Sequence, residues 1–161
     1  VLLDPPPALG MISLSVLRAA NALLIPAPPS NIDFASTAHF LKMMEATLSE
    51  LAKFGGERSY SFVKILASKM NDQKSAHVAI KRMMDAVFPQ DMLQSVLKDS
   101  AEIDNATANL STVYELTGPS TRTETHKRCR AYLDAVGREV ETLARKTWPS
   151  HHRALRKEGV L

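Results

Sequence analysis

Residues 1–25, VLLDPPPALGMISLSVLRAANALLI, decide the predicted fold. The first three residues are apolar and typical of the end of a buried strand. We expect Asp4 and the proline run after it to close that strand, because proline cannot donate to a β-ladder. Residues from about 8 to 20 predict a short helix, and the apolar run 22–25, stopped by Pro26, predicts a second strand. This order of elements outlines a βαβ unit.

The same alternation continues through the middle of the chain. A helix is predicted from Asp33, taken as its N-cap, to the pair Gly55-Gly56, because apolar residues recur on one helical face. Residues 62–67 predict a third strand, and residues 92–97 predict a short fourth one. The helix between these two strands is predicted from an apolar stripe formed by Ala76, Ile80, Met84 and Val87.

A long helix is predicted near the carboxyl end. Thr121 and Glu124 form a capping-box pattern at its start, and we expect Trp148 to pack its end against the body. Its predicted core face consists of Cys129, Tyr132 or Leu133, Val136, Val140 and Leu143. Strands separated by helices in this way predict an α/β fold with a mainly parallel sheet flanked by helices on both faces. Ligands of such sheets bind outside the carboxyl ends of the strands.

Composition narrows the class of protein further. The chain has 161 residues and a net charge of +3, enough for one domain with a core and too little charge to imply nucleic-acid binding by itself. Its one cysteine excludes an internal disulfide and a cysteine metal cluster, and it predicts a cytoplasmic protein. The apolar first 29 residues are interrupted by charges and prolines, so we expect neither a signal peptide nor a membrane span there. The tail at 154–161 is too short and too broken by glycine for an amphipathic membrane helix, so we expect no stable membrane association.

Asp4 is the first candidate for chemistry. A carboxylate directly after a strand can orient a water on Mg²⁺, since this cation is held through carboxylates, waters and phosphates. An aspartate that simply ends a strand before a proline turn is the alternative interpretation.

Two segments resemble a known family. The run LLDPPPALG at 2–10, with LSVL at 14–17 and AANALLIP at 19–26, resembles the Walker B segment and following unit of ParA-type partition ATPases. The run PPSNIDFAST at 28–37 is similar to the larger plasmid members, the plasmid ParA and the RepA of repABC type. The spacing onward agrees with that group at Phe88, Met92-Leu93 and Thr112 to Glu115. The resemblance covers most of the chain and implies a P-loop NTPase fold of the deviant Walker A superfamily.

The resemblance implies roles for individual residues. Asp4 takes the Walker B position and reaches Mg²⁺ through water, and the loop from Pro5 to Gly10 senses the γ-phosphate of ATP. The residues implied to bind the cofactors ATP and Mg²⁺ are Asp4, Pro5, Pro6, Gly10, Ser68 and Asn71.

The phosphate loop of this family has no counterpart in the sequence. The six glycines never form Gly-Lys-Ser/Thr, and Gly55-Gly56 with Arg58 stands between a helix and a strand, where a turn is expected. We therefore expect 1–148 to be the carboxyl-terminal part of a P-loop ATPase domain that lacks the Walker A unit, and 149–161 to be a basic tail. We expect this chain alone not to hydrolyse ATP.

Basic residues predict binding to the DNA backbone. No acidic residue occurs from 145 to 157, and lysines follow the predicted third and fourth strands. Contacts from them to phosphates would be independent of DNA sequence and sensitive to salt. The predicted DNA-binding residues are Lys69, Lys74, Lys98, Arg145, Lys146, Arg153 and Arg156. The alternative is an ordinary solvated surface, with cations favoured at the end of a helix.

The function implied by the resemblance is plasmid partition. The parent protein would be an ATP-switched homodimer that binds nonspecific DNA on the nucleoid and is stimulated by a centromere-binding protein of the ParB or RepB type. One alternative is another cargo-positioning ATPase of the superfamily, such as the MinD kind. The other is an inactive α/β interaction domain.

Overall fold

A computed structural model describes residues 1–6, 10–55, 59–116, 123–148, 153–154 and 156–159. Its helices are α1 (Met11–Ala19), α2 (Asn31–Gly55), α3 (Ser75–Val87), α4 (Ala101–Ala108) and α5 (Glu124–Thr147). Its strands are β1 (Leu23–Ala27) and β2 (Val63–Ala67). The predicted helices and the two inner strands are therefore confirmed, with shifted ends.

The sheet has two parallel strands joined by the crossover helix α2. The register runs from Leu23 opposite Val63 to Ala27 opposite Ala67. The prediction that Pro26 stops the first of these strands was wrong, because β1 continues through it. The amide of Leu23 donates to the carbonyl of Phe62, so by alternation the nitrogen of Pro26 points to the opposite edge, where no ladder hydrogen bond is lost.

A third extended segment, 91–99, runs parallel to β2 but is broken in the middle. It forms isolated bridges at Ile65 with Met92 and at Met70 with Lys98. Between these bridges the chain of β2 advances five residues, from Ile65 to Met70, and the third segment advances six, from Met92 to Lys98. The extra residue in the third segment makes a bulge. The predicted fourth strand at 92–97 is therefore a bulged, two-point contact, and the sheet is smaller than the predicted mainly parallel sheet.

The main core lies between the sheet and helices α2 and α3. Phe34 of α2 meets Phe88, directly after α3, edge to face with ring centroids 6.2 Å apart. The buried residues of this cluster are Ala27, Ile65, Ala67, Ile80, Met84 and Met92. The predicted stripe of α3 was right at Ile80 and Met84 and wrong at Ala76 and Val87, which are exposed. The two wrong positions lie in the first and last turns of the helix.

The end of helix α5 contacts the residue that precedes β2. The ring of Phe62 contacts that of Trp148 at 6.2 Å, which confirms the packing predicted for this tryptophan. A second, smaller core joins α5 to α4 and consists of Ala106, Val113 and Cys129. The imidazole Nε2 of His126 lies 3.0 Å from the carbonyl oxygen of Val113 and is buried with them.

Two helix starts differ from the sequence prediction. Helix α2 begins at Asn31, two residues before Asp33, because the hydroxyl of Ser30 accepts from the amide of Asp33 at 3.1 Å. Helix α5 is capped by Thr123, whose hydroxyl accepts from the amide of His126 at 3.2 Å. The predicted cap Thr121 lies outside the described residues.

The first three residues do not form the predicted strand. Val1 and Leu2 are fully exposed and Leu3 is half exposed. A strand needs a neighbour to satisfy its backbone, and no described segment pairs with these residues. Helix α1 begins at Met11, and the predicted start near 8 lies outside the described residues.

Candidate functional site

Three loops meet at the carboxyl ends of the parallel segments. The chain leaves β1 through 28–30 into α2, leaves β2 through 68–74 into α3, and leaves the third segment through 98–100 into α4. We call these three loops the carboxyl edge. A parallel arrangement brings such loops together, which is why sheets of this kind bind ligands there.

The loop after β2 alternates between buried and exposed side chains. Ser68 is buried and its amide donates to the carbonyl of Ala27 at 3.2 Å. Lys69 has a φ of +50°, in the left-handed region, and its side chain is exposed. Met70 is buried, and its amide donates to Leu97 at 3.1 Å. The backbone turn at Lys69 therefore presents a cation at the edge while its neighbours remain in the body.

Asn71 builds the turn that leads into α3. Its Oδ1 accepts from the amide of Gln73 at 2.9 Å, and its carbonyl accepts from the amide of Lys74 at 3.2 Å. Its own amide donates to Nδ1 of His77 at 3.3 Å. The Asn71 side-chain carbonyl is thus engaged in the fold, and its NH₂ group is the part left to meet a ligand.

An open cleft of about 500 Å³ lies between the amino-terminal ends of α2 and α3. Two helix amino termini carry partial positive charge and free N–H groups, and both favour anions. The residues that line this cleft are Ser30, Asn31, Ile32, Gln73, Lys74, Ser75, Ala76 and His77. Of these residues, only Lys74 is among the predicted site residues. The Ser-x-x-Asp pattern at 30–33 is the signal that would have placed a helix terminus here.

Lys98 is already paired. Its ammonium lies 2.5 Å and 2.7 Å from the two carboxylate oxygens of Asp72, which stands in the loop after β2. This ion pair joins two of the three loops of the carboxyl edge.

The predicted nucleotide loop stands apart from this network. Asp4, Pro5, Pro6 and Gly10 are all exposed. The carbonyl of Pro6 accepts from the hydroxyl of Ser13 at 3.2 Å, and Gly10 is the N-cap position of α1. Within the described residues Asp4 has no hydrogen-bond or ion-pair partner, and no group of three or more His, Cys, Asp or Glu side chains there could hold a metal ion. Asp4 offers a single carboxylate.

The remaining predicted cations lie on α5 and beyond it. Arg145 pairs with Glu141 one turn earlier, its Nε at 3.0 Å from the carboxylate, and about half of each side chain is exposed. Lys146 is exposed, as are Arg153 and Arg156 in the described parts of the tail. The carboxyl-terminal turn of α5 therefore presents Arg145 and Lys146 together, at the end of the helix where cations are favoured.

Glu139 is a contact that the sequence analysis missed. Its Oε1 accepts from the amide of Gln94 at 2.8 Å and its Oε2 from the amide of Ser95 at 2.7 Å. Desolvation is the largest influence and would raise the pKa of the Glu139 carboxyl, but the hydrogen bonds from Ser95 and Gln94 outweigh it and hold the pKa below its ordinary value. The sequence signal for it is an acidic residue directly before Val140 and three residues after Val136, beside the predicted apolar face.

Comparisons with known proteins indicate partition proteins. The chain is 25% identical over 148 residues to a protein named "putative replication protein A" from Rhizobium rhizogenes, covering 92% of this chain and 37% of that protein. It is 25% identical over 116 residues to protein SopA of Escherichia coli K12, covering 71% of this chain and 29% of SopA. A solved structure described as a partition protein superposes with a TM-score of 0.53 and 26% identity, over 80% of this chain and 32% of that one.

These similarities support a protein of the ParA type, related to plasmid partition and replication proteins. No protein-family model matches the chain. The chain spans little more than a third of the length of the replication proteins that it resembles. In the part of the chain that the structure describes, no helix combines the length and apolar character that crossing a membrane requires.

Proposed function

We propose that this chain is the carboxyl-terminal part of a ParA-type ATPase that segregates plasmid DNA, with 1–148 belonging to the P-loop domain and 149–161 forming a basic tail. The observation that carries the proposal is the agreement between two independent similarities. The sequence relatives are named putative replication protein A and SopA, the structural neighbour is described as a partition protein, and each match covers at least 71% of this chain.

The carboxyl edge is the proposed place where the protein contacts its nucleotide. In the proposed whole protein, β1, β2 and the third segment would be part of a larger parallel sheet, and the carboxyl edge would face the bound nucleotide. Ser68 and the NH₂ group of Asn71 would contribute from the loop after β2. Pro5, Pro6 and Gly10 would contribute from the loop before α1.

Asp4 would reach the Mg²⁺ of bound ATP through a water molecule that its carboxylate holds. A single exposed carboxylate suits this cation, which keeps several waters and takes its other ligands from phosphates. The lysine-containing phosphate loop would come from the rest of the parent protein, since this sequence has no Gly-Lys-Ser/Thr. The role of Asp4 is then to position water on the metal.

DNA binding would use cations from two places. Arg145 and Lys146 close α5, and Arg153 and Arg156 follow in the tail, so they would contact phosphates as a group. Lys69, Lys74 and Lys98 would add contacts from the carboxyl edge. A centromere-binding partner of the ParB or RepB type would act on the ATP-bound homodimer.

Fluorescence anisotropy with a short DNA duplex of arbitrary sequence tests this proposal, with the whole product of the gene in the presence of ATP and Mg²⁺. We expect binding whose logarithmic affinity falls linearly with the logarithm of salt concentration and does not depend on DNA sequence. Absence of binding at low salt, or binding that is insensitive to salt, would favour the inactive interaction domain. Binding to anionic vesicles in preference to DNA would favour a MinD-like cargo-positioning ATPase.

A further inference from the structure

The bulge in the third segment leaves the amides of Gln94 and Ser95 without a β-ladder partner. On its near side the amide of Leu93 donates to Ile65 at 2.9 Å, and on its far side the amide of Leu97 donates to Ala67 at 2.9 Å. The amides of Gln94 and Ser95 lie between these two bonds. Both donate instead to the carboxylate of Glu139 on α5.

A carboxylate suits this task because it has two equivalent acceptor oxygens. Each oxygen of Glu139 takes one of the two amides, at 2.8 and 2.7 Å. A glutamine at this position would keep one acceptor oxygen and replace the other by a donor, so it could hold only one of the amides. The charge also strengthens both hydrogen bonds.

The far side of the bulge sets the position of the loop after β2. The amide of Met70 donates to the carbonyl of Leu97 at 3.1 Å, and the amide of Asp99 donates to the carbonyl of Met70 at 2.9 Å. Lys98 adds its ion pair to Asp72. Residues 97–99 therefore hold 70–72 at three points, and any shift of the bulge moves the loop that carries Lys69 and Asn71.

We propose that Glu139 is a positioning residue that couples α5 to the carboxyl edge by clamping the bulge at Gln94 and Ser95. The functional meaning rests on the proposed function. Arg145 stands six residues further along the same helix, about 9 Å at 1.5 Å per residue. On this proposal, phosphate contacts at the end of α5 act on the clamp and, through it, on the loop proposed to face nucleotide. The bulge would then change between the observed clamped arrangement and a released one.

Few charged groups compete for Glu139. Lys64 of β2 is the charge that faces it from the sheet, and its ammonium also donates to the carbonyl of Gln90. The groups that donate to Glu139 from the third segment are neutral: the amides of Gln94 and Ser95 and the side-chain hydroxyl of Ser95. The clamp therefore depends on the charge state of Glu139 itself.

Amide hydrogen exchange of the protein chain, followed by NMR, tests the coupling without DNA or nucleotide. The variant is Glu139→Gln and the matched control is Glu141→Gln, which removes an exposed charge two residues away and releases Arg145 from its ion pair. We expect the protection of the Met70 and Asp99 amides to fall about tenfold in Glu139→Gln, as for loss of one charged hydrogen bond. The amide of Ile65, which donates to Asp91 before the bulge, should keep its protection, and the control should change neither group.

Two results would overturn the coupling. One is equal protection of Met70 and Asp99 in both variants, and the other is an equal loss at Ile65, which would mean general destabilisation. Adding a DNA duplex then separates this inference from the proposed function. We expect DNA to shift the Met70 and Asn71 resonances in the wild type and in Glu141→Gln, but not in Glu139→Gln, where only α5 responds. If DNA does not bind, the proposed function fails, while the exchange result still decides the role of Glu139.

Discussion

The ammonium of Lys98 and the carboxylate of Asp72 form an ion pair that joins the third segment to the loop after β2, with Nζ 2.5 Å from Oδ1. The lysine side chain is 23% exposed and the aspartate side chain 64% exposed. A cation that we propose to contact DNA is thus already neutralised by the more exposed of the two partners. Any phosphate that approaches Lys98 competes with Asp72.

Removing the competitor should strengthen DNA binding. In Asp72→Asn the charge of Lys98 becomes available, so we expect higher affinity and a salt dependence steeper by about one counterion. Anisotropy over a range of salt concentrations measures both quantities. Asp85→Asn is the control, since it frees Lys81 on α3 from the same kind of pair. An unchanged affinity in Asp72→Asn would remove Lys98 from the DNA surface.

The end of α5 should carry a larger part of the binding energy. We expect the double variant Arg145→Ala, Lys146→Ala to weaken binding to all DNA sequences alike and to lower the salt slope by between about one and two, because Arg145 is already paired with Glu141. Lys53→Ala on α2 is the control, because this lysine is equally exposed and pairs with Glu50. A double variant that binds DNA as tightly as the control would mean that Arg145 and Lys146 only stabilise the end of the helix and do not contact DNA.

His126 should stabilise the packing of α5 on the segment after α4. It is 3% exposed, and its Nε2 meets the carbonyl of Val113. We expect His126→Ala to lower the free energy of unfolding by about 2 kcal/mol, because it leaves a cavity and an unpaired carbonyl. His39→Ala, at an exposed position of α2, should change it by less than about 0.5 kcal/mol. Urea unfolding followed by circular dichroism compares the two, and equal losses would contradict the packing described.

The cap of α2 should be worth a measurable fraction of the stability. Ser30 accepts from the amide of Asp33 and donates to its carboxylate, so both groups lose a partner in Ser30→Ala. We expect a loss of about 1 kcal/mol in thermal or urea unfolding. Ser36→Ala, on the exposed side of the same helix, is the control and should be neutral or slightly stabilising. A larger loss of stability in Ser36→Ala than in Ser30→Ala would contradict the start of α2 at Asn31.

The hydrogen bonds of Glu139 should make the free energy of unfolding fall as the pH falls. The pKa of Glu139 is lowered in the folded chain, so its contribution is fully present above the ordinary glutamate pKa and is lost as the pH falls through the folded value. We expect Glu139→Gln to flatten the decline of stability in that acidic range relative to Glu141→Gln. Parallel declines in the two variants would contradict the lowered pKa.

The sequence predicted the elements that have a local signature and missed contacts that depend on distant partners. The apolar run around Ile65 and the stripe at Ile80 and Met84 identified β2 and α3, because a buried face leaves a period in the sequence. The strand at Val1 to Leu3 was wrong, since its pairing depends on a neighbour that the described residues lack.

The candidate site divides in the same way. Lysines after strands could be identified from order alone, so Lys69, Lys74 and Lys98 were predicted, and the loops that carry them do meet at one edge. The partner of Lys98 and the hydrogen bonds of Glu139 could not be predicted, because they join residues 26 and 44 to 45 positions apart. The nucleotide role of Asp4 rests on resemblance and stays a prediction.

Hydrolysis of ATP by the whole product of the gene that encodes this sequence tests the central claim most directly. The account predicts Mg²⁺-dependent hydrolysis that Asp4→Ala abolishes, because water on the metal is no longer positioned, while binding of the protein to DNA at low salt survives. A gene product that does not hydrolyse ATP, or one whose hydrolysis is the same in Asp4→Ala as in the wild type, would contradict the account.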